Sequence, residues 1–221
     1  LIDIGALYNL LLYIFAEEAG KKINNVLTPK EVIGLVAELI GDNKDNNSLC
    51  DPVSGSGTLL VEVGKRVGIR GANIFGQEAN WNQYALTKMN LMLNGFKDST
   101  FFWGDSLSNP KLTDDGGLKR FDIVASIPPF ADKWATEEAE FDRYGRFQYG
   151  IPPRSQATWA YISHILASLK PNGRAVVVVP AGVLFRTSES KIRHQIIEHN
   201  LLEAVIELPQ NLFYGAAIST A

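Results

Sequence analysis

Cysteine is almost absent: Cys50 is the one thiol among 221 residues. A single thiol closes no internal disulfide, so a disulfide-stapled scaffold is excluded and a reducing, cytoplasmic setting is expected. Histidine is nearly as scarce. His164, His194 and His199 are scattered, and no Cys/His spacing of the kind that holds zinc occurs, so no metal site is expected. Positive charge is not in surplus either: the net formal charge is −3. A module that grips nucleic acid unaided is usually basic, because phosphate neutralisation dominates its affinity. If this chain touches nucleic acid, another component supplies much of the grip. No run is long and apolar enough to cross a membrane. The opening "LIDIGALYNLLLYIFAEEAG" carries Asp3, lacks a basic leader and is too short. Internal repeats and low-complexity segments are missing too.

What remains is the composition of a globular protein, 46% hydrophobic and 20% charged, in a chain long enough for one α/β domain. Leu7, Leu10, Leu11 and Ile14 recur at helical spacing and predict an amphipathic first helix. "LTPKEVIGLVAELI" predicts a second, with Thr28 as cap, Pro29 at the first helical position and Glu31 closing a capping box. Thereafter strand and helix patterns alternate. "SLCDP", "NIFGQE", "STFFWGD", "FDIVAS", "RAVVVVP" and "LLEAVIELP" read as six strands, the fifth apolar enough to be buried on both faces. Helices are predicted between them, including "ATWAYISHILASLKPNG", stopped by Pro171 and Gly173. Such alternation predicts a doubly wound, mostly parallel sheet, with ligands beyond the carboxyl ends of its strands.

The loops at those ends therefore come first. "DPVSGSG" (51–57) follows a strand and opens a helix, and Gly55 and Gly57 permit a tight turn with exposed backbone N–H groups. No Lys-Ser/Thr pair follows the glycines, which excludes a P-loop, and the spacing departs from G-x-G-x-x-G. Glu78 ends the second strand, where a carboxylate suits the two hydroxyls of a ribose. Asp105, after the third strand, suits an adenine amino group, or else serves as a helix cap or turn residue. An adenosine-containing cofactor fits all three loops; from these residues alone NAD stays open.

The order of segments narrows the field. "LTP", "DPVSGSGTLL", "GQE", "GDSL", "IPPF", "RFQYGIPPRS", "LKPNGRAVVVVPAGVLFR" and "VIELPQNLFYG" follow one another from about Thr28 to the end. This arrangement resembles the adenine-specific N6 DNA methyltransferases, most closely the modification subunits of type I restriction–modification systems. The resemblance implies a SAM-dependent (S-adenosylmethionine) methyltransferase fold over 26–221, preceded by the end of a helical region over 1–25. The chain begins without methionine and ends in "YGAAISTA", so a piece of a larger protein is expected, "AAISTA" being the start of a last antiparallel strand. By the same resemblance Asp51, Pro52, Ser54, Gly55 and Gly57 line the SAM pocket, and Thr28 and Pro29 lie over its methionine end. Glu78 holds the ribose, and Asp105, with Ser106 beside it, the adenine. The implied partners are DNA, a separate specificity subunit and a restriction subunit.

The tip Ile127-Pro128-Pro129-Phe130 aligns with the family's Asn-Pro-Pro-aromatic motif. There an Asn side chain and the first Pro carbonyl accept from the target amino group, and the aromatic ring stacks on a flipped-out base. An exocyclic amine is a poor nucleophile because its lone pair is delocalised, and two acceptors steer it toward sp3 geometry. Prolines stiffen the loop and donate nothing; extrusion exposes an atom otherwise buried in the stack. Here the sequence departs, for Ile127 stands at the Asn position and has no acceptor. Losing one preorganised polar partner commonly costs about 10²–10³ in rate. Ser126 is adjacent, but successive side chains of an extended segment point to opposite sides. Thr158 stands where relatives often carry aspartate. The long connection 131–157 holds Trp134, Arg143, Tyr144, Arg146, Phe147, Tyr149 and Arg154, which suits a DNA-facing lid or a loop packed on the domain. Two functions are thus expected: adenine N6 methylation, or a SAM-binding subunit with weakened catalysis kept for assembly or regulation. A dehydrogenase is a more remote third, with no His or Tyr-Lys arrangement to serve it.

Overall fold

The computed structural model describes residues 3–19, 28–41, 47–130, 133–213 and 219–221. Its centre is a parallel sheet in the order β3-β2-β1-β6-β7. The strands are β1 (Leu49–Asp51), β2 (Ile74–Glu78), β3 (Thr100–Trp103), β6 (Phe121–Ser126) and β7 (Leu169–Val177). Between β3 and β6 a two-stranded hairpin intervenes, β4 (Thr113–Asp114) and β5 (Gly117–Leu118). Its turn places Asp115 and Gly116 at positive φ, the conformation a two-residue hairpin requires. The helices are α1 (Ile4–Ala19), α2 (Lys30–Ile40), α3 (Thr58–Arg66), α4 (Trp81–Leu93), α5 (Glu137–Glu140), α6 (Thr158–Ala167) and α7 (Ser190–Glu198).

The strand order reverses at β1, which has β2 on one side and β6 on the other. That reversal is the topological switch point where the crevice of such sheets lies. The core follows from it. Leu49 and Ile74 on the strands meet Ile33 and Val36 of α2 and Leu60 and Val63 of α3, all buried.

Four sequence expectations change. The helix predicted to reach Gly173 ends at Ala167, and β7 begins at Leu169. The pairing Phe121↔Leu169 is followed by Ile123↔Arg174, so Pro171 and Gly173 sit in a bulge rather than a helix end. Proline removes a ladder donor, which a bulge tolerates. The run 174–180 is only partly buried, not buried throughout: Arg174 is exposed, 175–177 are intermediate, and Val178 and Val179 are buried just past the end of β7. Among the described residues the predicted sixth strand, 201–209, joins no ladder, and Leu202 and Val205 are about half exposed. Leu201 N still bonds Ile196 O at 3.0 Å at the end of α7, and near the other end of the run Leu208 N donates to Thr220 O at 2.9 Å. Thr220 in turn bridges Pro180 in antiparallel sense, so residues 219–221 lie between 179–181 and Leu208. A strand exists only by pairing, and apolar content alone does not supply a partner.

The helical start differs as well. Pro29 rather than Thr28 stands at the N-cap of α2, and among the described residues no hydrogen bond joins Thr28 and Glu31 in the expected capping box. Thr28 instead accepts the Tyr13 hydroxyl at its carbonyl, 3.1 Å. In α1 the stripe Leu7, Leu10, Leu11 and Ile14 is exposed, and the inward face is Gly5, Asn9 and Leu12. Gly5 explains the choice: a Cβ there would stand 2.3 Å from Asn94 Oδ1, so only glycine lets α1 lie this close to the end of α4.

Candidate active site

Three loops leave the carboxyl ends of β1, β2 and β3, and they are wired to one another by polar contacts. In the first, Gly55 and Gly57 both take positive φ, 56° and 74°. A side chain at Gly57 would also meet Thr87 Cγ2 at 2.6 Å. Thr87 sits there for a reason: its hydroxyl donates to the Gly55 carbonyl at 2.6 Å, and Asn90, one turn further along α4, donates to the Ser56 carbonyl at 3.2 Å. Both are buried. They form a polar stripe on α4 that holds the glycine turn from behind.

Asp51 ends β1 and is 2% exposed. Its Oδ1 accepts from Val53 N at 3.0 Å and from Ser126 Oγ at 2.7 Å. Burial pushes its carboxyl up to about 7, with the neighbouring Glu78 charge adding to the rise against those two hydrogen bonds. Ser126 is thereby committed to the first loop and does not substitute for the missing acceptor at position 127.

Glu78 is the hub. One carboxylate oxygen accepts from Gly55 N at 2.8 Å and the other from Asn80 N at 2.7 Å. Burial raises its pKa above the ordinary glutamate value, opposed by these backbone donors. Its carbonyl accepts from Gly104 N at 2.9 Å, which ties β2 to the third loop. Trp103 braces the same turn, its indole N–H donating to Ala79 O at 2.9 Å, with the ring edge-on to Trp81 at 5.1 Å. Asp105 shapes the third loop by accepting Leu107 N at Oδ1, 2.8 Å, and it raises Glu78 electrostatically. Ser106, buried, donates to the Pro52 carbonyl and closes the ring of loops. Ser54 N donates to Gln77 O at 3.1 Å.

Gln77 is a residue that sequence reasoning passed over. Fully buried beside Glu78, it donates to the carbonyls of Gly104 and Asn109 and accepts from Lys111 N, so one side chain sets the course of the whole third loop. Its signal was an amide side chain in a short strand that opens with the apolar pair Ile74 and Phe75. Thr87 and Asn90, three apart on α4, carried a similar signal.

The proline tip lies beyond β6, one strand along from the glycine loop. Pro128 is buried, and its carbonyl has no hydrogen-bond partner among the described residues. Ile127 is half-buried and packs against the main core alongside Leu212 and Phe213. Phe130 meets Phe213 edge-to-face, ring centres 5.3 Å apart. Thr158 opens α6 and is 1% exposed. Thr28 and Pro29 are the exception among the predicted cofactor residues: no described hydrogen bond joins them to the three loops. A cavity of about 320 Å³ lined by Asn9, Tyr13, Lys30 and Arg66 shares no residue with these loops.

The connection 131–157 divides. Trp134 and Arg146 turn inward, while Phe141, Arg143 and Arg154 face solvent. Arg146 is only 3% exposed and ion-paired to Asp142, Nε to Oδ1 at 2.7 Å. It is not part of a DNA-facing surface, because a guanidinium so placed has its charge consumed internally.

Solved structures share this architecture. A type I restriction–modification methyltransferase subunit from Streptococcus thermophilus superposes with a TM-score of 0.80 at 31% identity, over 89% of this chain and 43% of that one. A class I S-adenosylmethionine-dependent methyltransferase from Listeria monocytogenes superposes at 0.76 over 98% of this chain and 65% of that one, at 22% identity. The fold is that of the SAM-dependent methyltransferases. Residues 2–221 match the N-6 DNA methylase family, and the chain belongs to it. Among curated relatives, the HindI methylase subunit of Haemophilus influenzae is 30% identical over 97% of this chain. The MjaVII methylase subunit of Methanocaldococcus jannaschii is 35% identical over 96%. The chain spans 49% of the former and 38% of the latter.

Proposed function

We propose that this chain is the methyltransferase part of a type I modification subunit, transferring a methyl group from S-adenosylmethionine to adenine N6 in DNA. Residues 26–221 are its catalytic domain and 1–25 the end of a helical region before it. DNA, a specificity subunit and a restriction subunit are its partners, and a net charge of −3 fits a subunit that borrows its sequence reading.

One observation carries the reading: the Glu78 carboxylate is held between Gly55 N and Asn80 N, one on each oxygen, with Ala79 N adding to the backbone donors that favour its charged form. A carboxylate has about four lone-pair sites, so acceptor capacity is left beyond these backbone donors for a ribose hydroxyl. When bound, S-adenosylmethionine supplies an electrophilic methyl on a sulfonium, so that an N–C bond forms as the C–S bond breaks and the amine's proton leaves to solvent. The chain's own residues bind and aim. Gly55 and Gly57 keep the turn free of side chains, Asp51 lines the pocket and fixes the first loop through Val53 N and Ser126 Oγ, and Asp105 with Ser106 borders the adenine. Pro128 offers a carbonyl with no partner among the described residues to the target amine, and Phe130 offers a ring to the extruded base.

Ile127 favours a second reading, a SAM-binding subunit with weakened catalysis, since it packs as a core residue and brings no acceptor. Family membership does not prefer that reading over the first. Labelled-methyl transfer to DNA by the full-length protein with its specificity subunit, beside Ile127→Asn, tests both. Transfer by the parent protein, faster in the variant, is expected. No transfer by the parent and robust transfer by the variant would establish the weakened subunit. Equal, robust rates would show that position 127 needs no acceptor.

A further inference from the structure

Arg146 is the member of the long connection that does not behave as its surroundings suggest. Its side chain and that of its ion-pair partner Asp142 are 3% and 4% exposed. Both oxygens of Asp142 accept from Arg146, one from Nε at 2.7 Å and the other from the backbone N at 2.6 Å. The remaining edge of the guanidinium does not point at solvent. Nη1 donates to Leu107 O at 2.8 Å and to Ser106 O at 3.3 Å. Tyr144 and Phe147 rings lie 5.5 and 5.2 Å from the guanidinium carbon, and Phe147 leans on Trp134 at 5.1 Å. The buried His164 also faces Arg146; burial first, and then the Arg146 charge, keep its ring neutral down to a pKa of about 3. The Arg146 charge is thus balanced by Asp142 and by nothing else among the described residues.

The two carbonyls so held belong to one turn. Leu107 N of that turn donates to Asp105 Oδ1, and Ser106 Oγ donates to Pro52 O in the glycine loop. Arg146 therefore pins the carbonyl side of the turn whose N–H side orients Asp105. We propose that Arg146 is a positioning residue for the cofactor's adenine: it reaches from the connection 131–157 into the third loop and sets the Asp105 carboxylate at its working orientation. This rests on the reading above, in which Asp105 accepts from the adenine amino group.

The juxtaposition has a chemical signature that a merely structural ion pair lacks. If Arg146 acts through Asp105, disturbing it costs affinity only for ligands that carry the 6-amino group. The test is calorimetric titration of the full-length protein with S-adenosylhomocysteine and with its deaminated analogue S-inosylhomocysteine. Arg146→Lys keeps charge but loses the fork that spans Asp142 and the two carbonyls. It is expected to bind S-adenosylhomocysteine about tenfold more weakly, the scale of one hydrogen bond to a charged group, with the inosyl analogue within about twofold of wild type. Where the lysine variant proves unstable, Arg146→Met with Asp142→Leu replaces the pair by apolar residues of similar volume, a change that buried pairs often tolerate, and the same selective loss is expected. Equal losses for both ligands, or no loss in a folded variant, would overturn the assignment. A wild-type protein that binds neither ligand, or binds both alike, would instead overturn the Asp105 reading beneath it.

Discussion

Two neighbouring regions of this molecule are built from opposite materials. The loops beyond β1, β2 and β3 are joined by hydrogen bonds between buried polar groups: Asp51 to Ser126, Glu78 to Gly55, Gln77 to three backbone groups of the third loop, Thr87 and Asn90 to the glycine turn. The proline tip beyond β6 rests on apolar packing, Ile127 against the core and Phe130 against Phe213. Polar wiring fixes direction, because a hydrogen bond weakens steeply when misaligned. Apolar packing fixes volume and leaves direction freer. The first region is suited to holding one ligand in one pose. The second offers a flat ring and a carbonyl to a group that arrives from outside.

Breaking the polar side should have the largest effect. Gly57→Val forces a β-branched residue to φ 74° and into the Thr87 methyl. A non-glycine residue there costs on the order of 1–3 kcal/mol before the clash is counted. A fall in thermal midpoint of several degrees and loss of S-adenosylmethionine binding are expected by calorimetry. Adding Thr87→Ser should recover part of the stability, and no recovery would show that the clash is not with that methyl.

Glu78→Gln keeps the shape and one acceptor but loses the charge. Hydrogen bonds to charged groups contribute about 1.5–3 kcal/mol, so cofactor affinity should fall on the order of 10- to 100-fold. An unchanged dissociation constant would remove Glu78 from the site.

Titration sharpens the contrast, because two buried groups respond to pH in opposite senses. The folded-state pKa of Asp51, about 7, lies above its ordinary 3.8. Its contribution to stability is therefore complete below pH 3.8 and is lost as pH rises through 7. His164 is depressed from 6.5 to about 3 by burial and then by Arg146. Its contribution is present above pH 6.5 and is lost as pH falls toward 3. Asp51→Asn should stabilise the protein at pH 8, and His164→Gln should flatten the acid limb below pH 6.5, each by a few kcal/mol at about 1.4 kcal/mol per pKa unit. Thermal melts across pH 4–8 would show it; parallel profiles for wild type and both variants would contradict it.

The apolar side should answer more quietly. Ile127→Asn puts an amide where a half-buried side chain packs, and a loss of roughly 1–2 kcal/mol is expected from chemical denaturation. No loss would mean that Ile127 is not the packing element described here.

Much of this was legible in the chain, and the remainder was not for physical reasons. Alternating apolar runs and glycine punctuation predict the parallel sheet, because period and turn chemistry are local. The run 201–209 has the same local character and joins no ladder among the described residues, since pairing is decided by what lies beside it. In α1 the more apolar stripe faces outward, because the close approach permitted at Gly5 governs the docking. The carboxylates Asp51 and Glu78 and the glycines between them stood out by residue type and position. Gln77, Thr87 and Asn90 did not, because their work is to bond carbonyls that sequence does not display. For Arg146 the sequence left two readings open, a DNA-facing lid or a loop packed on the domain, and the nearness of Asp142, Ser106 and Leu107 decides for the second.

The central claim is that the polar loops hold S-adenosylmethionine through Glu78. Calorimetric titration of the full-length protein with S-adenosylmethionine, and separately with NAD, tests it most directly. Saturable one-to-one binding of S-adenosylmethionine, abolished in Glu78→Ala, with no heat from NAD, is the predicted result. Saturable NAD binding with none for S-adenosylmethionine would contradict it.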